Sequence, residues 1–272
     1  FMRELSDRIL EFTESLPLVA SCNVEPRAGI TPDDLIPALD RLSLSTGGVG
    51  LITTDHPKTR LAIQQLCESG VRVVTIASDV LSTPRAAYVG VDNRISGRTA
   101  AQMMGMMSRG STGPVALFLG SRNFHGHQER ELGFRTLVSE QFPNLTILPA
   151  IEIGEDSTRS RDAMTKLLRT TPDLVGIYCV GAGRTGIVEA LRTRPPGRRP
   201  HVIMHDLTDN SRSWLVDDLI DVIIDQNPRL VGEQAVIRLL GAIAASAPLL
   251  PVKNIEPRII LRENIPSGRL LA

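Results

Sequence analysis

The sequence has little of what several functional classes require. It holds nine aromatic residues in 272 positions, and its 30 basic side chains are matched by 30 acidic ones. A nucleic-acid backbone is gripped by a basic face and a single strand by stacking rings, so this stretch is not expected to be a nucleic-acid surface. The dense basic run at 192–199 is broken by prolines and a glycine and reads as a solvated turn. Cys22, Cys67 and Cys179 stand far apart with no CxxC pair, which excludes a disulfide framework and a cysteine zinc site. No apolar run nears the ~18 residues of a membrane span, and the first residues lack the charged-then-apolar order of a secretion signal. The signatures GxxxxGKS/T, GxSxG and HExxH are absent, and GxGxxG occurs once, as GAGRTG at 181–186. With the three missing signatures goes the usual sequence warrant for P-loop nucleotide, acyl-transfer or zinc-peptidase chemistry.

What is present is an ordinary globular composition, 42% apolar and 22% charged, long enough for one large domain or two modest ones. Leu5, Ile9, Phe12 and Leu16 recur at helical spacing, and Pro17 stops that helix. A strand is expected at 18–24. A helix over 32–44 follows, with Thr31 as its cap and Pro32 at its first position. Apolar runs at 49–54, 71–77, 87–92, 115–119, 146–153, 174–180, 201–206 and 219–225 read as strands. Helical periodicity fills the intervals at 57–69, 96–109, 128–142, 158–169, 185–192 and 211–216. A long helix at 228–245 and a last strand at 258–262 close the chain. Such alternation predicts parallel strands with helices on both faces, the doubly wound α/β class. The glycine-flanked stretch 108–114 divides two comparable series, which predicts two lobes: 1–110 with 228–252, and 111–227 with 253–272.

In open parallel sheets ligands sit beyond the carboxyl ends of the strands. Asp55 and His56, Asp92, Asp206 and Gln226 all stand directly after predicted strands; each is equally a helix N-cap taken alone. Arg130 falls in the first turn of a predicted helix, where the helix dipole disfavours a cation and a ligand contact would explain it. A guanidinium fork donates to neighbouring hydroxyls and carboxylates accept from them, which is how a polyol is held without covalent chemistry. The glycine loop 181–183 is either a close approach to ligand or a tight turn. His125, His127, Glu129 and Glu131 straddle a loop and a helix start, and their spacing does not guarantee the convergence that metal ligation needs.

The segment VGVDNRISGRTAA at 89–101 resembles the lactose-repressor (LacI) family of bacterial transcription regulators and the related periplasmic sugar-binding proteins. GHQERELGFR at 126–135 and HDLT at 205–208 are similar to further family stretches. DQNPR at 225–229 and PRIILRENIP at 257–266 resemble the regulator branch in particular. The resemblance implies two periplasmic-binding-protein-like lobes closing on a small ligand lined by Asp92, Arg130, Asp206 and Gln226. It also implies a loop from Cys179 through Gly181 to Arg184, at which the family's usual asparagine is absent. Asp55 and His56 complete the expected site. No catalytic residue, metal or cofactor is expected.

The leading expectation is the effector-binding and dimerisation portion of a cytoplasmic regulator: a sugar or polyol as effector, a homodimer, and operator DNA reached through a helix-turn-helix outside these residues. The family's first strand also lies outside them. The alternative is a periplasmic sugar-binding protein of an ABC transporter. A third reading, a metal-dependent hydrolase, rests on the 125–131 cluster alone.

Overall fold

The structure, a computed structural model, describes residues 1–26, 31–42, 46–154, 156–181, 183–194, 197, 199–245 and 251–266. The chain forms two compact units. The first comprises Phe1–Val91, Asn123–Gly126 and Gln226–Glu256; the second comprises Asp92–Arg122, His127–Asp225 and Pro257–Ala272. Because the change of unit falls at Asp92, the helix at 93–107 belongs with the second unit, and the glycine-flanked stretch 108–114 is an internal turn of that unit, not a boundary.

The first unit begins with α1 (Met2–Glu14), α2 (Pro32–Leu42), β1 (Gly48–Leu51), α3 (Pro57–Glu68), β2 (Arg72–Ile76) and β3 (Ala87–Val89). The second contains α4 (Asn93–Met107), β4 (Gly113–Leu119), α5 (His125–Gln141), β5 (Leu145–Ile147), β6 (Ile151–Glu152), α6 (Ser157–Thr170), β7 (Gly176–Cys179), α7 (Arg184–Arg192), β8 (His201–His205), α8 (Asp209–Val216) and β9 (Val222–Asp225). The first two residues of α5 count with the first unit. The chain then gives α9 (Pro228–Ile243) to the first unit and β10 (Arg258–Ile260) to the second.

Successive strand residues face opposite sides of a sheet, and each unit uses this to build two apolar layers. In the first, β1, β2 and β3 are parallel and adjacent in that order. Val73 packs with Leu39, Ile63 and Leu66 of α2 and α3, while its neighbour Val74 packs with Leu5 of α1 and Val231 of α9. The second sheet runs β10-β9-β8-β7-β4-β5, with β6 also paired to β4. Phe118, Ile177, Met204 and Leu215 lie on one face; Leu117, Tyr178, Ile203 and Phe134 lie on the other. Each such fully buried side chain contributes about 1.5–3 kcal/mol.

Three expectations are corrected. Residues 18–24 form no strand: Leu18 and Cys22 are exposed, and the segment has no partner in the three-stranded sheet. An apolar run needs both pairing and burial to become a strand. The predicted strand 146–153 is two short pieces, because the register on β4 slips by one residue around Pro149, from Ile147 opposite Val115 to Ile151 opposite Phe118. The last strand is antiparallel to its neighbour, with Arg258 opposite Asp225. Among the described residues no helix is long and apolar enough to cross a membrane.

Helices α4 and α5 meet at backbone distance. A Cβ on Gly97 would lie 2.1 Å from the carbonyl oxygen of Arg130, and one on Gly133 would lie 2.2 Å from that of Arg94. Neither oxygen can retreat without moving a helix. Gly97→Ala is therefore expected to destabilise the protein by about 1–3 kcal/mol, the usual cost of overpacking, read as a lower urea midpoint at unchanged slope.

Candidate functional site

The carboxyl ends of β4, β7 and β8 in the second unit gather most of its buried polar chemistry. Arg130, the sixth residue of α5 and only 4% exposed, is the centre. Its Nε donates to Asn93 Oδ1 at 2.7 Å and its Nη1 donates to the Val180 carbonyl at 3.0 Å. Asn93, itself buried, is the first residue of α4, and Val180 directly follows β7. The helix starts three residues earlier than expected, so Arg130 is in its second turn and the dipole argument for a ligand weakens. The argument from burial takes its place: a desolvated guanidinium needs fixed acceptors, and two of these are shown.

His127 lies one helical turn before Arg130. Its Nδ1 is 3.1 Å from the carbonyl oxygen and 3.3 Å from the amide nitrogen of Ser121. Its ring packs so closely on Gly181 that a Cβ there would sit 2.6 Å from Cε1. That contact explains the glycine, since any side chain would displace the imidazole. Burial and the charge of Arg130 push the His127 pKa down to about 4, against smaller opposing effects of Ser121 and Asp206.

Beneath these lies His205, the last residue of β8 and fully buried. Its Nε2 is 2.7 Å from the Tyr178 hydroxyl, and Tyr178 stacks on Phe134 with ring centroids 4.7 Å apart. Burial, with the charges of Arg130, His127 and Arg184, holds His205 well below the usual imidazole range, and burial pushes the Tyr178 phenol up. Both groups are neutral.

Asp206 follows β8 in the left-handed backbone region, φ 67°. Its amide donates to the Ile224 carbonyl and its own carbonyl accepts from Ser211 Oγ at 2.9 Å. Arg184, the first residue of α7, points its Nη1 at the carbonyls of His205 and Asp206 and stands 3.5 Å from the Asp206 carboxylate. Asp225 at the end of β9 is fully buried; it accepts from the Leu207 amide and from the Arg258 guanidinium of β10.

Of the residues singled out in the sequence, Arg130, Gly181, Arg184 and Asp206 thus fall in one neighbourhood. Asp92 adjoins it, but its carboxylate caps α4 by accepting from the Ile95 amide at 2.9 Å. Cys179 packs in the opposite core layer with Phe118 and Ile187, and its thiol donates to the Gly181 carbonyl at 3.5 Å. The remaining three belong to the first unit. Asp55 is held by both Nε and Nη2 of Arg60, at 2.6 and 2.9 Å, and His56 caps α3 by accepting from the Lys58 amide. Gln226 is buried beside Asn227, the cap of α9.

Asn93, Tyr178 and His205 were not among the expected residues, and His127 was weighed only as a metal ligand. Asn93 carried the same signal as Asp92, a polar residue following an apolar strand. Tyr178 and His205 lie inside strands, where alternation alone marks them as core. The metal reading loses its carboxylates: Glu129 pairs with Arg94, and Glu131 with Arg122 and Arg135. Among the described residues no three metal-ligating side chains converge.

Parallel sheets with polar side chains collected at their carboxyl ends define a ligand-binding α/β protein. Residues 44–245 match the family described as "Periplasmic binding protein domain", and the chain belongs to that family. Solved structures similar to it include a solute-binding protein of an ABC transporter from Agrobacterium vitis with bound D-fucose (17% identity, 99% of this chain, 93% of that one, TM-score 0.88). Another, from Burkholderia graminis in complex with D-arabinose, shares 22% identity over 97% of this chain and 93% of that one, TM-score 0.86. GanP, a glucose-galactose binding protein from Geobacillus stearothermophilus, shares 21% over the same proportions, TM-score 0.86. At these identities the likeness establishes the periplasmic-binding-protein-like fold. No curated protein matches the sequence.

The lowered His127 pKa has a sign that can be measured. Between about pH 6.5 and 4 the unfolded imidazole is protonated while the folded one stays neutral. Stability present at neutral pH is therefore lost as pH falls through that window, by about 1.4 kcal/mol per pH unit for each such histidine. Urea midpoints taken from pH 7 to 4 are expected to fall, and His127→Gln to make the fall shallower.

Proposed function

We propose that this chain is a receptor for a small polyhydroxylated solute, a sugar or polyol, and that it works by binding, not by turnover. The observation that carries the reading is Arg130, buried at the strand ends with its plane set by Asn93 and Val180. A guanidinium so held offers directed hydrogen bonds without paying to order itself on binding. Gly181, Arg184 and Asp206 supply close approach, a second donor and an acceptor beside it. Relatives in fold bound to D-fucose and D-arabinose support the ligand class.

Among such receptors the solute-delivering component of a transporter is favoured, because the relatives named above include solute-binding proteins of ABC transporters. That role places the protein in the periplasm. The second reading is the effector domain of a LacI-type regulator, dimeric, cytoplasmic and acting on operator DNA through a separate module. One observation favours it: the two stretches that resemble the regulator branch are joined by the Asp225 and Arg258 ion pair. In either role a ligand acts by differential affinity for two conformations of the protein.

Calorimetric titration against pentoses, hexoses and polyols tests the receptor reading. At a hundred times its dissociation constant a true ligand adds about 2.7 kcal/mol to stability. Arg130→Ala is expected to weaken binding at least about a hundredfold, two charge-assisted hydrogen bonds being worth roughly 1.5–3 kcal/mol each. A folded protein that none of these compounds stabilises would overturn the proposal.

A further inference from the structure

The turn that carries Asp206 hangs on the end of β9. Pairing of β8 with β9 runs as far as His205, opposite Ile224. The Asp206 amide adds one more bond of the same kind, to the Ile224 carbonyl at 3.1 Å, and the left-handed backbone at Asp206 then takes the chain out of the sheet. Leu207 comes next, 1% exposed and packed in the core, so its amide must find an acceptor within the protein. The next residue of β9 supplies it from a side chain: Asp225 Oδ1 accepts from the Leu207 amide at 3.0 Å.

A carboxylate is out of character in that strand. Val222, Ile223 and Ile224 precede it, and all four residues are fully buried; an anion there is costly unless its oxygens are fixed. Arg258 fixes the second one. Its Nε donates to Asp225 Oδ2 at 3.0 Å, its Nη2 donates to the same atom, and the two residues stand opposite each other in the register of β9 with β10. One oxygen thus serves the turn beside Asp206 and the other answers to the neighbouring edge strand. The pair also lies where the chain leaves the second unit, after Asp225, and re-enters it, at Pro257.

We infer that Asp225 is a positioning residue for recognition: it sets Asp206 for the solute through the Leu207 amide, and Arg258 holds Asp225 in the orientation this requires. This rests on the receptor reading above and adds to that site a pair that acts through Asp206, not by contact with the solute. Affinity then depends on how the ends of β9 and β10 are held, as well as on the side chains that meet the solute.

A double-mutant cycle on binding tests it, with D-fucose, D-arabinose, D-glucose and D-galactose as probes. Asp225→Ala is expected to weaken the best-bound probe about tenfold, and Asp225→Asn, which keeps an acceptor for the Leu207 amide but not the ion pair, to fall between it and the unaltered chain. In the Asp206→Asn background, where asparagine tolerates the same backbone, Asp225→Ala is expected to cost less than about twofold more, because the residue through which it acts has already been altered. If urea melts show that Asp225→Ala does not fold, Asp225→Asn carries the same cycle. The part played by Arg258 is read without solute, by hydrogen exchange: Arg258→Gln is expected to quicken exchange at the Leu207 amide about tenfold more than at Ile203, inside β8. Binding unchanged by Asp225→Ala, a loss that persists in full beside Asp206→Asn, or equal exchange at the two amides would overturn the inference and leave the receptor reading standing. Failure of all four probes, and of the wider sugar and polyol panel, to bind the unaltered chain would overturn both.

Discussion

Removing the Arg130 guanidinium from water costs several kcal/mol that only fixed acceptors can offset, and much of the second unit is placed to supply them. Asn93 must stand within 2.7 Å of Nε, so the start of α4 must lie against α5. That approach is possible because residues 97 and 133 are glycines, each facing the carbonyl of the opposite helix. The other acceptor, Val180, is the residue at which β7 gives out and its carbonyl turns from the sheet ladder to a side chain. Helix crossing, strand length and arginine position are thus one problem with a single solution.

The layer below follows from the same cation. A charged histidine near a buried guanidinium would raise the desolvation cost further. His127 and His205 are instead neutral, one set against Ser121, the other against Tyr178, which itself stacks on Phe134. The polar floor therefore presents hydrogen-bonding groups without adding positive charge.

The α/β class, the order of most elements and the grouping of Arg130, Arg184 and Asp206 were legible in the sequence, because apolar periodicity and strand-end position are local signals. What was not legible depends on partners distant in sequence. Residues 18–24 have the composition of a strand but no neighbour in the three-stranded sheet, and β10 runs against β9, with Arg258 opposite Asp225, a pairing of residues far apart in sequence. Asp55 and His56 stand at a strand end as the sequence indicates, but their local partners, Arg60 at the Asp55 carboxylate and the Lys58 amide at His56 Nδ1, were not legible there. Asn93 was overlooked beside Asp92, although it is Asn93, not Asp92, that reaches Arg130.

The left-handed backbone at Asp206 restricts how this protein can change over generations. Only glycine, asparagine and aspartate adopt that conformation readily, so most single-base substitutions of the codon, to valine, alanine, tyrosine or glutamate, would strain the turn before they altered recognition. Arg184 has an ordinary helical start beneath it and carries no such tax. A lineage moving from one solute to another would find position 206 almost closed and position 184 open, and divergence in specificity is expected to accumulate there first.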